Sequence, residues 1–275
     1  MSRVIITIAI GMDPCYRYGL KSVSSYATRH GCQFRVIDRD VVGAPSRFTL
    51  KEKAWLQKLY ILQLAKEYDE VLYLDSDIIV TPDAPNFFEY MQSRDSSAAI
   101  AMYNEFHIGG RDIYFEKLNN CLPEEDIRCC EQYFNAGVIY LRKDNLLSSL
   151  AQKNELIRVI DCGVPCPEQT YFNGVLAKSG SVVIDLPKSF NFMQETDQCH
   201  HLRLGQFFIH YAGYSFRGSK RHKRSKIMRQ DFIALYSKGH SGPVVSWVHY
   251  AVWDLLKDLL FSLSKKLHAL FFCLR

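Results

Sequence analysis

The chain reads as an α/β protein with a mainly parallel central sheet flanked by helices, and three observations predict it. Short apolar runs rich in β-branched residues alternate with segments of helical periodicity. One run, residues 71–80 (Val-Leu-Tyr-Leu-Asp-Ser-Asp-Ile-Ile-Val), is apolar on both sides of Asp75 and Asp77, as expected of a buried strand ending at the edge where open α/β sheets hold ligands. The composition, 48% hydrophobic and 13% aromatic over 275 residues, is rich enough for one large domain with an appendage and excludes a disordered chain.

Taken in order, residues 3–10 form a strand-like apolar run, 11–19 a loop punctuated by Gly and Pro14, and 20–30 a helical pattern. A second strand is expected at 34–38, and a helix at 53–68 with Trp55, Leu59, Leu62 and Ala65 or Lys66 on one stripe. Residues 98–102 are strand-like, whereas 104–130 are polar and irregular enough for a lid or an acceptor-facing excursion. Strands follow at 133–141, 182–186 and 206–211, with a helix opening at Glu168 after Pro165 and Pro167 and a tight loop at 190–192.

The net charge of +5 is concentrated locally, in Arg217, Lys220, Arg221, Lys223, Arg224, Lys226 and Arg229. This patch lacks aromatic interleaving or a known motif, which argues against nucleic acid. Nine irregularly spaced cysteines and an N-terminus that enters a strand directly predict a reduced, cytosolic chain. Cys162, Cys166, Cys199 and His200 could be drawn as a zinc site, but the spacing matches no usual finger, and ordinary buried thiols are the simpler reading. Residues 244–275 repeat Val248, Val252, Leu255, Leu256, Leu259, Leu263, Leu267 and Leu270 at helical spacing, interrupted by charges. They read as an amphipathic helix suited to an anionic membrane surface, with packing on the chain itself or on a second copy as the alternative.

Two carboxylates at a strand end can grip a hard divalent cation and, through it, substrate phosphates. In a parallel sheet the loop after the first strand faces the same edge, so Gly11, Asp13, Tyr16 and Arg17 are candidates for holding a base and ribose. The absence of a Gly-x-Gly-x-x-Gly fingerprint disfavours a dinucleotide. Ala136 and Gly137 are small enough for a sugar-sized group to approach the backbone, and Asn135 offers an amide to a hydroxyl. His210, ending an apolar strand, is either a core histidine or the imidazole that completes a site begun by two carboxylates.

From about residue 3 to residue 213 the ordered motifs resemble the retaining sugar-nucleotide transferases of glycosyltransferase family 8. The parts are Leu74-Asp75-Ser76-Asp77, Phe134-Asn135-Ala136-Gly137-Val138, Glu168-Gln169 leading into Asn173-Gly174, Phe190-Asn191-Phe192, and His210 with Gly213. The resemblance implies a GT-A type fold and a UDP-hexose, with Mn²⁺ or Mg²⁺ held by Asp75, Asp77 and His210. It implies donor contacts from Ser76, Lys58, Gly213 and Lys220, and places Asn135, Glu168 and Gln169 at the transferred sugar. Taken with the amphipathic tail, it also implies glucose or galactose transfer to a saccharide or glycolipid, in surface polysaccharide or lipopolysaccharide synthesis at the inner face of a membrane.

Two departures stand out. The family usually carries Asp where this chain has Glu168, and it tends to place Lys six residues after the metal His, where this chain has Phe216 with Arg217 and Lys220 nearby. The division expected is a catalytic domain at 1–216, a basic linker at 217–243 and a membrane-associated helix at 244–275. The rival readings are a HAD-like phosphatase, which would use the Asp75 strand as its nucleophile strand, and a non-catalytic carbohydrate-binding or scaffold protein. A nucleotidyltransferase would need a Gly-rich N-terminal phosphate loop that is missing.

Overall fold

In the computed structural model the described residues are 1–11, 16–95, 98–105, 111–123, 132–143, 145–193, 203–212 and 221–237. The chain divides into two units, Met1–Phe232 and Ile233–Arg275. Along the first run β1 (Arg3–Ile8), α1 (Tyr16–Arg29), β2 (Gln33–Ile37), α2 (Leu50–Leu64), β3 (Glu70–Leu74), β4 (Ile78–Val80), α3 (Phe87–Arg94) and β5 (Ile100–Asn104). Then come α4 (Asp112–Cys121), β6 (Phe134–Arg142), α5 (Leu146–Leu150), α6 (Lys153–Asp161), α7 (Pro167–Ser179), β7 (Ile184–Asp185), β8 (Phe192–Met193), β9 (Phe208–His210) and α8 (Arg221–Tyr236).

The main sheet has the order β2-β1-β3-β6-β5-β7. Every strand but β6 runs the same way, and β6 is antiparallel to both β3 and β5. The mainly parallel sheet expected from the alternating pattern is therefore present, with one reversal. That reversal matters because an antiparallel neighbour brings its N-terminal end to the C-terminal end of its partner. It sets Asn135, Ala136 and Gly137 beside Asp75, whose N–H donates to the Gly137 carbonyl at 2.8 Å.

The side-chain period of two splits the sheet residues between two apolar cores. Val4, Ile6, Val71, Tyr73, Ile139 and Leu141 pack on one face with Leu56, Leu59 and Leu62 of α2. Ile5, Leu72, Leu74, Val138 and Tyr140 pack on the other with Val23 of α1 and Phe87 of α3. Strands β1 and β3 are covered on both sides, which is why they read as continuous apolar runs.

Three element boundaries differ from the sequence reading for local reasons. Helix α2 begins at Leu50 because Thr49 and Glu52 form a capping box, the Glu52 N–H donating to Thr49 and the Thr49 N–H to Glu52. The expected irregular excursion at 104–130 contains helix α4, while 106–110 and 124–130 lie outside the described residues. Within 217–243, expected as a basic linker, Arg221–Tyr236 is helical. The expected tail helix at 244–275, and Cys199 and His200 of the zinc reading, also lie outside the described residues.

Candidate active site

The Asp75-Ser76-Asp77 turn passes the chain from the main sheet into a small second sheet of order β4-β9-β8. Strand β4 pairs antiparallel with β9, setting Ile78 opposite His210, and the Tyr211 N–H donates to the Asp77 carbonyl at 2.9 Å. This pairing carries His210 to the carboxylates across more than a hundred residues of sequence. Helix α1 presses on the same turn through Gly19. A Cβ there would stand 2.1 Å from the Ser76 carbonyl oxygen, so no side chain fits.

One ligand-capable atom from each of Asp75, Asp77 and His210 lies within 4.8 Å of the others, and these three form a group that could hold a metal ion. The His210 Nε2 is 3.4 Å from Asp77 Oδ1 and 3.7 Å from Asp75 Oδ2. The imidazole keeps only 4% of its side-chain surface, but Asp75 and Asp77 keep 26% and 16%, which leaves the carboxylates reachable from solvent.

Backbone donors fix which way the neighbouring amides point. The Gly137 N–H can only donate, and it does so to Asn135 Oδ1 at 2.9 Å. The Asn191 Nδ2 donates to the same oxygen at 2.9 Å, which turns Asn191 Oδ1 toward His210 Nδ1, 2.8 Å away. Nδ1 therefore carries a proton, and Nε2 is the nitrogen on the side of the two carboxylates, donating to Asp77 when the ring is charged and free to take a metal when it is neutral, as in metal-binding histidines oriented by a second partner. Glycine is required at 137 for the same reason, since a Cβ would meet His210 Cε1 at 2.2 Å. The expectation that Gly137 opens the backbone to a sugar is thereby corrected: its missing side chain makes room for the imidazole.

Two cations face the carboxylates. Lys58 on α2 is buried and donates to the Ala136 carbonyl at 2.9 Å and to Glu168 Oε1 at 3.1 Å, with Asp75 Oδ1 at 3.3 Å. Burial disfavours its charge, but the Asp75 and Glu168 carboxylates outweigh that and raise the ammonium to about 12. The Tyr73 hydroxyl also donates to Asp75. Arg224 on α8 donates to Asp77 Oδ2 at 2.9 Å and to the Tyr211 carbonyl at 3.3 Å. Burial raises the Asp77 carboxyl, yet the hydrogen bond and charge of His210, with Arg224 and Lys58, hold it below its ordinary value. His210 shifts the other way, above its ordinary value, because Asp77 and Asp75 outweigh its burial.

A buried polar wall adjoins this cluster. The Ala136 N–H donates to Gln169 Oε1 at 3.0 Å, so Gln169 Nε2 turns to Glu105 Oε1 at 2.8 Å. Asn135 Nδ2 completes the wall, donating to Glu105 Oε2 at 3.0 Å and to Gln169 Oε1 at 3.2 Å. Arg111 pairs with Glu105 at 2.8 Å and stacks over Tyr114 and Tyr133. Among the described residues, Glu168 Oε2 is buried without a hydrogen-bond partner, an acceptor beside the cluster.

Lys58, Asp75, Ser76, Asp77, Asn135, Glu168, Gln169 and His210 thus gather at one sheet edge. Gly11 takes a left-handed φ of 84° just after β1, and Tyr16 opens α1 half-buried. Asp13, Gly213 and Lys220 lie outside the described residues. Sequence reasoning missed Glu105, Arg111 and Arg224 as parts of this region, and it quoted Asn191 within a motif without giving it a role. Glu105 directly follows β5 as Asp75 directly follows β3, and that shared position after a largely apolar strand could have found it. A shallow hollow of about 650 Å³ lined by Lys21, Ser24, Arg29 and Phe34 contains none of these groups.

A sequence profile of glycosyl transferase family 8 matches residues 44–216, a span that holds all three members of the metal-capable group. No curated protein matches the chain. Among solved structures, one similar fold is a glycosyltransferase involved in glycosylating the major capsid of PBCV-1, at 16% identity and a TM-score of 0.55, covering 84% of this chain and 100% of that one. Another is the bifunctional glycosyltransferase WbbM without ligand, at 14% identity and a TM-score of 0.52, covering 86% of this chain and 50% of that one. These likenesses establish a GT-A type fold, and the matched span establishes the family. The chain belongs to glycosyl transferase family 8 and is a glycosyltransferase.

Proposed function

We propose that the chain is a retaining, metal-dependent hexosyltransferase that moves glucose or galactose from a UDP-sugar to a saccharide or glycolipid acceptor. The observation that carries this reading is the convergence of Asp75, Asp77 and His210 with the buried Lys58–Glu168 pair at one edge of the sheet. Uridine, the two hexoses and a role in surface polysaccharide or lipopolysaccharide synthesis rest on the motifs shared with the family.

The donor set fits a divalent cation. Two carboxylate oxygens and one neutral imidazole nitrogen suit Mn²⁺ or Mg²⁺ better than softer ions, and Asn191 holds the tautomer that such a ligand needs. A cation held by Asp75, Asp77 and His210 supplies neutralisation of the charge that develops on the leaving diphosphate. Lys58 adds a second, preorganised positive charge from the protein interior. Arg224 adds a third from α8, and it serves in place of the lysine that this chain lacks at position 216. The loop after β1, with Gly11, Asp13 and Tyr16, and the segment with Ser76, Gly213 and Lys220 complete the donor contacts.

At the sugar, Glu168 and Gln169 take different parts. Gln169 Oε1 already accepts from Ala136 and Asn135, so Gln169 shapes the wall that the sugar lies against. Glu168 Oε2 has an open lone pair and accepts from a hydroxyl of the hexose. Lys58 holds the other oxygen of Glu168 and lowers its value as a nucleophile. Retention then follows from attack on the face that the diphosphate leaves. The bond from the anomeric carbon to the phosphate oxygen breaks, the bond to the acceptor oxygen forms, and the acceptor proton passes to the departing phosphate.

Screening UDP-sugars with Mn²⁺ or Mg²⁺ for UDP release tests the proposal. One UDP-hexose should turn over, and Asp77→Ala should lower kcat/KM by about 100-fold or more. Release of phosphate from phosphomonoesters with no turnover of any UDP-sugar would instead establish the HAD-like phosphatase reading.

A further inference from the structure

Two thiols that the proposed reaction does not use meet between the C-terminal ends of α4 and α6. Cys121, the last residue of α4, and Cys162, which caps the C-terminal end of α6, place their sulfur atoms 2.7 Å apart although 41 positions separate them. That spacing is well inside the separation of two unbonded sulfur atoms. A disulfide bond measures about 2.05 Å, so the two sulfur atoms stand within about 1 Å of bonding distance. Cys121 is buried and Cys162 is exposed, so one thiol is reachable by a reagent and the other is not.

We propose that Cys121 and Cys162 form a reversible disulfide site, in which exposed Cys162 is the entry thiol and buried Cys121 the resolving one. The co-reactant is a small-molecule disulfide such as oxidised glutathione. The Cys162 thiolate attacks it, the glutathione S–S bond breaks, and one glutathione leaves as its thiolate, giving a mixed disulfide on Cys162. Cys121 gives its proton to solvent, attacks the Cys162 sulfur and expels the second glutathione. In sum, two protein thiols lose two hydrogens and one glutathione disulfide is reduced to two thiols.

The neighbouring groups favour this pair over its rivals. Cys166 is close in sequence, but burial pushes its thiol up to about 11, which leaves little thiolate to attack or resolve. Among the described residues, no carboxylate, imidazole or further thiol joins Cys121 and Cys162 in a metal-capable group. The bond would tie α4, which is entered from Arg111, to the turn leading into α7 with Glu168 and Gln169. It therefore joins the end of α4 to the end of α6, a short turn ahead of α7.

Equilibrating the full chain in mixtures of reduced and oxidised glutathione, followed by non-reducing peptide mapping and a thermal melt, tests the site. The expected result is a peptide pair joined through Cys121 and Cys162, lighter by two hydrogens, lost on adding a dithiol. It should be accompanied by a rise in Tm of about 5 °C or more. Cys162→Ser, a change at an exposed position, should abolish the joined pair, and Cys166→Ser should keep it. A lasting glutathione adduct on Cys162 without a crosslink, or Cys162 joined to any other thiol, would overturn the proposal.

Discussion

The imidazole of His210 depends on two residues that would never be singled out as ligands. Gly137 leaves the space the ring fills, and Asn191 sets which ring nitrogen is protonated. Gly137→Ala should push the ring out of line, costing about 1–3 kcal/mol of stability from overpacking. It should also weaken Mn²⁺ binding about tenfold or more. Titration of Mn²⁺ alongside denaturant unfolding checks both, and unchanged affinity would remove His210 from the metal set. The pH dependence has a defined sign. Because a metal needs the neutral ring, affinity for Mn²⁺ should climb as pH rises toward the raised folded value of His210 and level off above it, with a proton released on binding below that value. Calorimetry in two buffers of different ionisation enthalpy measures that proton. In the metal-free protein the raised His210 contributes stability that is full below 6.5 and is lost as pH rises through its folded value. The depressed Asp77 contributes stability above 3.8 that is lost as pH falls through its own folded value. The Asp pair and His210 could be read from the sequence because each ends an apolar run. Asn191 could not be given its role, because a hydrogen bond to a ring nitrogen leaves no trace in spacing.

Among the elements, α8 adds most to what sequence alone offers. Its basic residues look like a solvated linker, yet a buried clamp holds it. Arg203 pairs with Asp231 through two hydrogen bonds of 2.5 and 2.8 Å, and the Tyr211 hydroxyl donates to the same carboxylate. Tyr211 directly follows His210, so the clamp ties α8 to the strand that carries the histidine and sets Arg224 on Asp77. Asp231→Ala leaves the Arg203 guanidinium buried and unpaired, and unfolding measurements should show a loss of about 3–5 kcal/mol. Arg224→Ala should spare stability and weaken UDP binding several-fold, seen as a raised KM for donor. Equal KM values would mean that Arg224 serves Asp77 alone. This element was illegible for a physical reason: its docking uses a buried ion pair between residues 28 positions apart, which leaves no periodic signal in the sequence. Helix α2 was easier, since apolar periodicity announced it, although the capping box that starts it at Leu50 and its end at Leu64 were overlooked.

For the whole molecule, the alternation of strands and helices was enough to give a mainly parallel sheet, and the order of motifs was enough to give the family. The reversal of β6 was not legible, because a strand buried on both faces reads the same in either direction. Yet that reversal brings Asn135 to Asp75, so the polar wall and the metal-capable group share an edge only through a feature of topology. No helix among the described residues is long and apolar enough to cross a membrane. Association through residues 244–275 is proposed on their amphipathic pattern. Chain stopped before Val244 should keep donor hydrolysis and no longer sediment with anionic liposomes, and unchanged sedimentation would reject the idea. The most direct test of the central claim is calorimetric binding of UDP to the full chain with and without Mn²⁺, set beside Asp77→Ala. Binding that strengthens on the order of 100-fold with Mn²⁺ in the parent chain, and not in the variant, is the result expected of a metal-bridged diphosphate site. Equal affinity for UDP with and without the ion would contradict it.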